Sequence, residues 1–412
     1  MTGARARRLR IVVVLVALAA GAVACSSVPV ATESALHHPI AASSPPTTTT
    51  IAAQSDQLTD IAFFDPTTGY GLFDRQAQPT CQAVVGWTAT GGADFGSLTV
   101  VTSWPCANAA PVSQLAFDDH GDGFLYGPDL FVTHDAGVTW TQVPQSGVVL
   151  SVEALGSSVW IVESSCPAPT DLSHPCPMRL LESADGGRTW SGVGVPIGAS
   201  TVGLGAQTWL VRLSTSAAYL ASNPSFSPEN QPSTAPLWYT ADSGRTWSTR
   251  RVDCGFNALA DAISVAPDGT LVAVCADQPS TGAQPKSTVR SNDGGFTWQT
   301  MTGCPGGGAL TFGCVTTGPL TAGYLGEIDA VTADAVYLLG GRSPLLVTHD
   351  GGVTWSAVDG ATMGDTGGGG QNVVFFNPSD GVVLGDNGQT GATTIWSTSD
   401  GGATWDSVIP ID

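Results

Sequence analysis

An octapeptide that recurs along the chain constrains the fold more than any other sequence feature. It has the form S/T-x-D-x-G-x-x-W and occurs at residues 133–140, 183–190, 240–247, 291–298, 348–355 and 398–405. Its carboxylate can accept backbone donors that a tight loop between two strands leaves unused. Its glycine supplies the positive φ of a sharp reversal, and its tryptophan is expected to enter the next strand and pack against a neighbouring sheet. The octapeptide therefore predicts a β-hairpin with structural carboxylates at Asp135, Asp185, Asp242, Asp293, Asp350 and Asp400.

A seventh, degenerate copy occupies residues 88–95, where Thr90 takes the place of the carboxylate. The central positions of the seven copies are 90, 135, 185, 242, 293, 350 and 400, so neighbouring copies are 45 to 57 residues apart. A period near fifty is the length of one four-stranded propeller blade. We therefore predict an all-β fold, a seven-bladed β-propeller. A six-bladed ring with an additional first blade is the alternative.

The repeat resembles the Asp-box, or BNR repeat, of sialidases, sortilin-type receptors, xyloglucan-cleaving hydrolases and photosystem II assembly-factor propellers. The resemblance covers residues 58–412 and implies the propeller fold. It does not imply one function, because these families share the hairpin and differ in what they bind or cleave.

The composition agrees with a β fold. The 412 residues include 51 glycines and 27 prolines, and alternating runs of strand length are separated by Gly, Pro, Asp and Ser. Long apolar runs of period 3.6, which a helical fold would need, do not occur beyond the first two dozen residues. Since 42% of the residues are hydrophobic and 12 are tryptophan, the composition also argues against disorder.

The amino terminus reads as an export signal. In residues 1–24, four arginines precede the apolar run 11–20, which is too short for a comfortable membrane span. Removing this segment lowers the basic residues from 14 to 10 against 34 acidic ones, a net charge of −24. A nucleic-acid partner is therefore not predicted, and neither is electrostatic binding to anionic membranes.

Cys25 follows Ala22-Val-Ala24, which resembles a bacterial lipobox, although leucine is usual where Ala22 stands. Lipidation of Cys25 would anchor the chain to the outer face of the cell membrane. Simple cleavage after Ala24, followed by secretion, is the alternative. Residues 25–57 are rich in Ser, Thr and Pro, so we predict a tether whose threonines are either glycosylated or unmodified.

Each repeat reads as four strands, A to D, with the octapeptide between C and D. In a propeller, the A–B and C–D turns share one face, here named the hairpin face, and the B–C and D–A connections share the opposite loop face. The longest connections fall on the loop face, at residues 163–178, 214–236, 251–261, 277–287, 302–326 and 359–371. Loops longer than connection requires are where binding usually resides, so the sequence predicts a ligand site there.

The eight cysteines after Cys25 all lie in or beside these connections. Pairing of neighbours predicts four disulfides on the loop face, although other pairings are formally possible, and oxidised pairs agree with export. The predicted pairs are Cys81–Cys106, Cys166–Cys176, Cys254–Cys275 and Cys304–Cys314. A metal site would call for Cys-x-x-Cys or His-rich spacing, which the sequence lacks, so neither a metal nor a cofactor is predicted.

The resemblance to sialidases implies three arginines that bind a substrate carboxylate. Arg75, Arg212 and Arg342 are the candidates for the loop face, but the F/Y-R-I-P motif that precedes the repeats in sialidases is absent. Xyloglucan-type hydrolysis relies on carboxylates that face each other across two propellers, and one propeller cannot form that cleft. Asp365 and Asp386 are acidic residues of the loops, at a separation that the sequence does not specify.

Two further patterns have simpler interpretations. Residues 118–123 with Asp129 weakly resemble a calcium loop, but the closing glutamate is missing and a polar turn is preferred. His134 and His349 occupy the variable second position of two octapeptides and are expected to be exposed and inert.

The leading prediction is a non-enzymatic, exported, monomeric lipoprotein whose loop face binds a protein or glycan at the cell envelope. A glycoside hydrolase of sialidase type is the alternative. Three aromatic residues on or beside the long loops are candidate contacts, or else caps of blade ends: Trp104, Tyr219 and Trp238. The basic patch of the photosystem II assembly-factor family is missing, so the partner of that family is not expected.

Overall fold

The computed structural model describes residues 56–118, 121–164, 178–195, 207–223, 234–254, 259–276, 286–302, 320, 326–340, 344–358, 363–364, 372–387 and 393–408. These residues form seven small antiparallel sheets arranged in a ring, which confirms the predicted seven-bladed β-propeller. The six-bladed alternative is wrong, because the first blade packs between blades 7 and 2 as a full member of the ring.

The first four blades contain sixteen strands. Blade 1 has β1 (Asp56–Phe63), β2 (Gly69–Ala77), β3 (Thr80–Thr88) and β4 (Gly96–Pro105). Blade 2 has β5 (Gln114–Phe117), β6 (Gly123–Tyr126), β7 (Leu130–Thr133) and β8 (Thr141–Gln142). Blade 3 has β9 (Val148–Leu155), β10 (Ser158–Ser164), β11 (Met178–Ser183) and β12 (Ser191–Val193). Blade 4 has β13 (Gln207–Arg212), β14 (Ala218–Asn223), β15 (Thr234–Thr240) and β16 (Ser248–Asp253).

The remaining strands form blades 5 to 7. Blade 5 has β17 (Leu259–Val265), β18 (Leu271–Ala276), β19 (Lys286–Ser291) and β20 (Gln299–Thr302). Blade 6 has β21 (Glu327–Ala330), β22 (Val336–Leu339), β23 (Leu346–Thr348) and β24 (Ser356–Ala357). Blade 7 has β26 (Asn372–Phe375), β27 (Gly381–Asn387), β28 (Thr393–Thr398) and β29 (Asp406–Val408), and the short β25 (Met363–Gly364) pairs with the end of β27.

Within a blade, strands that follow one another in the chain pair antiparallel, from the innermost strand A to the outermost strand D. The innermost strands contact one another in order around the ring, and β1 completes the circle against β27 and β28. Each described sheet is built from consecutive strands, and among the described residues blade 7 takes no strand from another part of the chain. Closure therefore depends on packing between blades 7 and 1, as predicted.

The hydrophobic core lies between the blades. Seven clusters of buried side chains each join two neighbouring blades, because side chains of a strand alternate between its two faces and both faces are covered. The cluster that closes the ring places Ile61 and Phe73 of blade 1 against Val382, Leu384 and Ile395 of blade 7. The described part of the chain contains no helix long and apolar enough to cross a membrane.

Polar side chains of the innermost strands also join neighbouring blades. The Asp60 carboxylate of blade 1 accepts the backbone N–H of Leu115 in blade 2 at 2.8 Å, and it accepts the Asn372 side-chain amide of blade 7 at 3.2 Å. In the same way, the Ser264 hydroxyl of blade 5 accepts the N–H of Ala330 in blade 6 at 2.8 Å. These bonds satisfy backbone donors at the inner edges of the sheets, where no further strand exists.

Candidate functional site

The six octapeptides are hydrogen-bonded hairpins on the A–B side of the blades. In the first, the Asp135 Oδ1 atom accepts the Thr139 N–H at 2.8 Å and the Thr133 hydroxyl at 2.8 Å, while Oδ2 accepts the Thr139 hydroxyl at 2.6 Å. The Thr133 oxygen in turn accepts the Gly137 N–H at 3.0 Å. The carboxylate is thus the internal acceptor that the sequence predicts.

A threonine that directly precedes the tryptophan makes the shortest of these bonds in every hairpin. Its hydroxyl donates to Oδ2 of the aspartate at 2.6 Å in each case. The six threonines are Thr139, Thr189, Thr246, Thr297, Thr354 and Thr404. The pattern S/T-x-D-x-G-x-x-W leaves this position open, although threonine fills it in all six copies, so the full pattern is S/T-x-D-x-G-x-T-W.

Hydrogen bonding keeps these carboxylates ionised. The side-chain bond from Thr297, with the backbone bond beside it, lowers the pKa of Asp293 to about 2. The equivalent bonds from Thr354 and Thr404 lower the pKa of Asp350 and of Asp400 to about 2. The hairpin face therefore retains negative charge well into the acid range.

The degenerate copy keeps the hairpin with hydroxyl groups alone. The Thr90 oxygen accepts the Asp94 N–H at 3.0 Å, and the Thr88 oxygen accepts the Gly92 N–H at 3.0 Å. A neutral hydroxyl can therefore take over the acceptor role of the carboxylate in the hairpin of blade 1.

The tryptophan lies between blades and does not enter the following strand. Trp140 comes one residue before β8, is half-buried and packs into the cluster between blades 1 and 2, with its ring 5.8 Å from that of Phe117. Its Nε1 donates to the Gly137 carbonyl at 3.1 Å, which ties the ring to its own hairpin. The expectation of a strand position is therefore wrong by one residue.

Tyrosines near the start of strand B connect one blade to the hairpin of the next, a role that the sequence analysis missed. The Tyr70 hydroxyl donates to the Ala136 carbonyl at 3.0 Å, and the Tyr337 hydroxyl donates to the Gly401 carbonyl. Burial raises the pKa of both phenols to about 12. Each of these tyrosines precedes its hairpin partner by about 65 residues. Aligning the repeats blade by blade would have shown that both tyrosines occupy the same position in strand B.

The two faces are arranged as predicted. The hairpins lie beside the A–B turns, since Ala136 N–H donates to Gly121 O at 3.1 Å and Gly401 N–H donates to Ser379 O at 2.8 Å. The described cysteines lie at the opposite ends of the strands. The loop face and the hairpin face are therefore on opposite sides of the ring.

Two of the four predicted disulfides lie within the described residues, and both are present. Cys81 at the start of β3 bonds Cys106 just after β4, with the Cα atoms 4.9 Å apart. Cys254 after β16 bonds Cys275 in β18, with the Cα atoms 5.6 Å apart, and so connects blade 4 to blade 5. The pairs Cys166–Cys176 and Cys304–Cys314 fall outside the described residues.

The structure separates the arginines proposed for a carboxylate site. Arg75 is at the loop-face end of β2 and forms a bidentate ion pair with Asp56, at 2.7 Å from Nε to Oδ1 and 2.5 Å from Nη2 to Oδ2. Hydrogen bonding to Asp56 raises the pKa of Arg75. Arg342 lies outside the described residues.

Arg212 is not on the loop face, which corrects the prediction. It ends β13 beside the A–B turn, is 2% exposed, and donates to the Ser158 carbonyl at 2.7 Å and to the Thr215 carbonyl at 3.2 Å. Its guanidinium stacks 4.6 Å from the ring centre of Trp160. Burial lowers its pKa to about 10, and Glu153 and Glu182 oppose that shift. Arg212 therefore joins blades 3 and 4 and is not available to a ligand.

The aromatic candidates also pack between blades. Tyr219 is 6% exposed because residues 214–236, predicted as a loop, contain strand β14, and its ring lies 4.9 Å from that of Tyr239. Trp238 in β15 is 7% exposed and packs between blades 3 and 4. Trp104 in β4 is half-buried against blade 2. Tyr219 and Trp238 are therefore neither ligand contacts nor caps of blade ends, and both predicted roles are wrong for them, because each is buried in the core between two blades.

The described part of the calcium-like pattern is divided between the two ends of β6. Asp122 precedes β6 and pairs with His134 at 2.9 Å, whereas Asp129 follows β6 at its other end and accepts a bond from Gln142. No group of three or more His, Cys, Asp or Glu side chains suited to a metal occurs among the described residues. His134 and His349 are both exposed as expected, and His134 also contacts the Asp122 carboxylate. Asp365 lies outside the described residues, and Asp386 lies in β27.

A charged cluster on the loop face of blade 3 was also missed. Glu163 at the end of β10 is fully buried and accepts Arg179 Nη2 at 2.8 Å and the Ser146 hydroxyl at 3.0 Å. The Arg179 side chain is 47% exposed. A buried carboxylate thus holds a half-exposed guanidinium at the loop-face end of β11.

No family model and no curated protein matches the sequence. Solved structures of similar fold include YCF48 from Cyanidioschyzon merolae, at 16% identity over 85% of this chain and 97% of that chain, with a TM-score of 0.51. A puromycin hydrolase matches at 14% identity over 87% of this chain and 55% of that chain, with a TM-score of 0.52. YCF48 bound to D1 peptide matches at 19% identity over 81% and 92%, with a TM-score of 0.48. At these identities the likeness shows the propeller fold alone.

Proposed function

We propose that this chain is an exported, lipid-anchored and non-enzymatic propeller that binds a protein or glycan of the cell envelope through its loop face. Its octapeptides are assigned as Asp-box repeats, which hold the opposite face closed. The observation that carries the proposal is the position of the disulfides Cys81–Cys106 and Cys254–Cys275, both at the loop-face ends of their strands. Crosslinks at that face restrict the connections there and lower the ordering cost of binding.

The described charges of the loop face support a polar ligand. Arg179 is half-exposed and backed by buried Glu163, so its guanidinium is positioned without a ligand present. A guanidinium donates several hydrogen bonds in one plane and suits carboxylate or sugar oxygens. The buried position of Arg212 does not support a three-arginine site, so the sialidase-type reaction is not carried forward.

The test is a glycan array and an envelope pull-down with the mature chain, followed by titration of the ligand that is identified. We expect Arg179→Ala to weaken binding by about tenfold, which corresponds to about 1.4 kcal/mol. Arg245→Ala, at an exposed arginine of the hairpin face, is the matched control and should leave affinity unchanged. Hydrolysis of fluorogenic sialosides by the wild-type chain would contradict the binding role.

The anchor is tested separately. Cells fed an alkynyl fatty acid should label the wild-type chain, and Cys25→Ser should abolish both the label and the membrane association. An unlabelled wild-type chain in the medium would instead support cleavage after Ala24 and secretion.

A further inference from the structure

The outermost strand of blade 1 differs from the outer strands of all other blades. β4 has 10 residues, whereas the others have between 2 and 6. An outermost strand presents one row of backbone N–H and C=O groups that no strand of its own sheet satisfies. The long edge of β4 therefore offers more main-chain hydrogen-bonding groups than any other described edge.

This edge lacks the usual protection against pairing. β4 contains no charged residue, and Leu98 and Val100 are 46% and 45% exposed. By contrast, β16 carries Arg250, Arg251 and Asp253. The pairing of β3 with β4 shifts register twice, which bends β4, and Pro105 ends the strand; these are its two protective features. An exposed, uncharged, aliphatic edge is a template for strand addition.

Blades 1 and 2, between which β4 packs, carry a net negative charge. Residues 56–142, which form blades 1 and 2, include ten aspartates, no glutamate and no lysine, and Arg75 is their one arginine. Ten negative charges and one positive charge leave a net charge of −9 when His is neutral. Arg75 is itself paired with Asp56. Electrostatics at this edge therefore favour a cationic partner.

We propose that the outer edge of β4 binds an extended, cationic peptide segment of another protein as an additional strand. Main-chain hydrogen bonds along residues 98–104 provide the affinity, and β-branched residues at alternate positions of the peptide contact Leu98 and Val100. Flanking lysines or arginines face the aspartates of blades 1 and 2. This surface is separate from the loop-face site proposed above.

Charge also distinguishes this partner from two other occupants. A second copy of the chain would bring two regions of net charge −9 together. Residues 26–55, the part of the predicted tether between Cys25 and β1, contain Glu33 and have neither lysine nor arginine. Neither occupant has the positive charge that the edge favours.

The experiment uses the full exported chain and synthetic decapeptides with a dye at one end. A lysine-flanked peptide with alternating valine and threonine should bind in a fluorescence anisotropy titration at low ionic strength, and a glutamate-flanked peptide with the same core should bind at least about tenfold more weakly. A lysine-flanked peptide with a central proline should not bind, because proline interrupts strand pairing. Equal binding of the proline peptide would overturn the proposal.

Hydrogen exchange and two matched variants locate the site. The bound peptide should slow amide exchange within residues 98–104, and protection confined to another region would overturn the proposal. Val100→Lys should reduce affinity at least about tenfold, whereas Val353→Lys, at an equally exposed valine of blade 6, should not. The β4 amides should exchange freely in the chain without peptide. Protection that is lost on dilution would show that a second copy occupies the edge, and protection that is lost on deletion of residues 26–55 would show that the tether occupies it. Either result would overturn the proposal.

Discussion

At the scale of single residues, the hairpin aspartates show how a short local pattern controls both conformation and charge. Asp293 accepts the Thr297 hydroxyl and amide within one turn, and it also accepts the Ser291 hydroxyl and the Phe296 N–H. Donors that converge on the carboxylate favour its ionised form over the protonated form. The acidity of the hairpin face is therefore a product of the fold as well as of the composition.

The threonine before the tryptophan should control this effect. We expect Thr297→Val to remove the hydroxyl bond and to raise the pKa of Asp293 from about 2 toward the ordinary 3.8. A carbon-detected NMR titration of the aspartate side chains measures the change. Thr300→Val, at an exposed position in β20, is the control and should leave the pKa of Asp293 unchanged.

The same shifts predict how stability depends on pH. The pKa values of Asp293, Asp350 and Asp400 are about 2 in the folded chain, below the value near 3.9 of an unfolded aspartate. Unfolding therefore takes up protons at these carboxylates. The stability that the three hairpin aspartates contribute is present above pH 4 and is lost as the pH falls from 4 toward 2. Thermal unfolding followed at pH 7, 4 and 2 should show little loss at the first step and a clear loss at the second; a melting temperature unchanged at pH 2 would contradict this assignment.

At the scale of elements, the hairpin of one blade is held by the blade before it. Tyr70 in β2 donates to the Ala136 carbonyl of the hairpin in blade 2, and its ring stacks on Phe117 with the centres 3.7 Å apart. The hairpin is thus fixed internally by its aspartate and externally by a neighbour's phenol. The stability of the hairpin in blade 2 therefore depends on a side chain of the preceding blade.

Tyr70→Phe should therefore destabilise the chain by about 1 kcal/mol, because the Ala136 carbonyl loses its donor while the ring remains. Urea unfolding measures the difference through the shift of the transition midpoint. Tyr219→Phe is the matched control, since the Tyr219 hydroxyl makes no described hydrogen bond to a hairpin carbonyl, and its effect should be smaller. Equal destabilisation by the two substitutions would show that the bond from Tyr70 to the Ala136 carbonyl is not the cause.

At the scale of the whole molecule, the ring is closed by contacts between residues that are far apart in sequence. Asp60 accepts bonds from Leu115 of blade 2 and Asn372 of blade 7, and so joins three blades at the axis. The apolar cluster of Ile61 with Val382 and Leu384 lies beside it. Within the described residues blade 7 contains only its own consecutive strands, so these side chains supply the closure there.

Replacement of Asp60 by alanine should weaken the closure by roughly 2–3 kcal/mol, since two buried donors lose their charged acceptor. Limited proteolysis should then cut blades 1 and 7 faster than blade 4. Asp94→Ala, at an exposed aspartate of blade 1, serves as the control. Uniform acceleration of cleavage around the ring would argue against a local role in closure.

The sequence by itself determined what depends on near neighbours. The hairpins follow from residues within one octapeptide, and the pair Cys81–Cys106 follows from cysteines that flank one hairpin. The number and period of the repeats favour seven blades, although the six-bladed alternative was excluded only by the packing of blade 1. Strand alternation within a blade is equally local, although the assignment failed where β14 was taken for part of a loop.

The tertiary structure alone decided which side chains are buried between blades. Arg212, Tyr219 and Trp238 read as candidate ligand contacts in the sequence, yet each packs against a blade about fifty residues away. Whether a side chain is buried between two blades depends on which faces of the neighbouring sheets meet. The closed ring decides which faces those are. A local pattern specifies each blade, whereas only the closed ring specifies what lies between two blades.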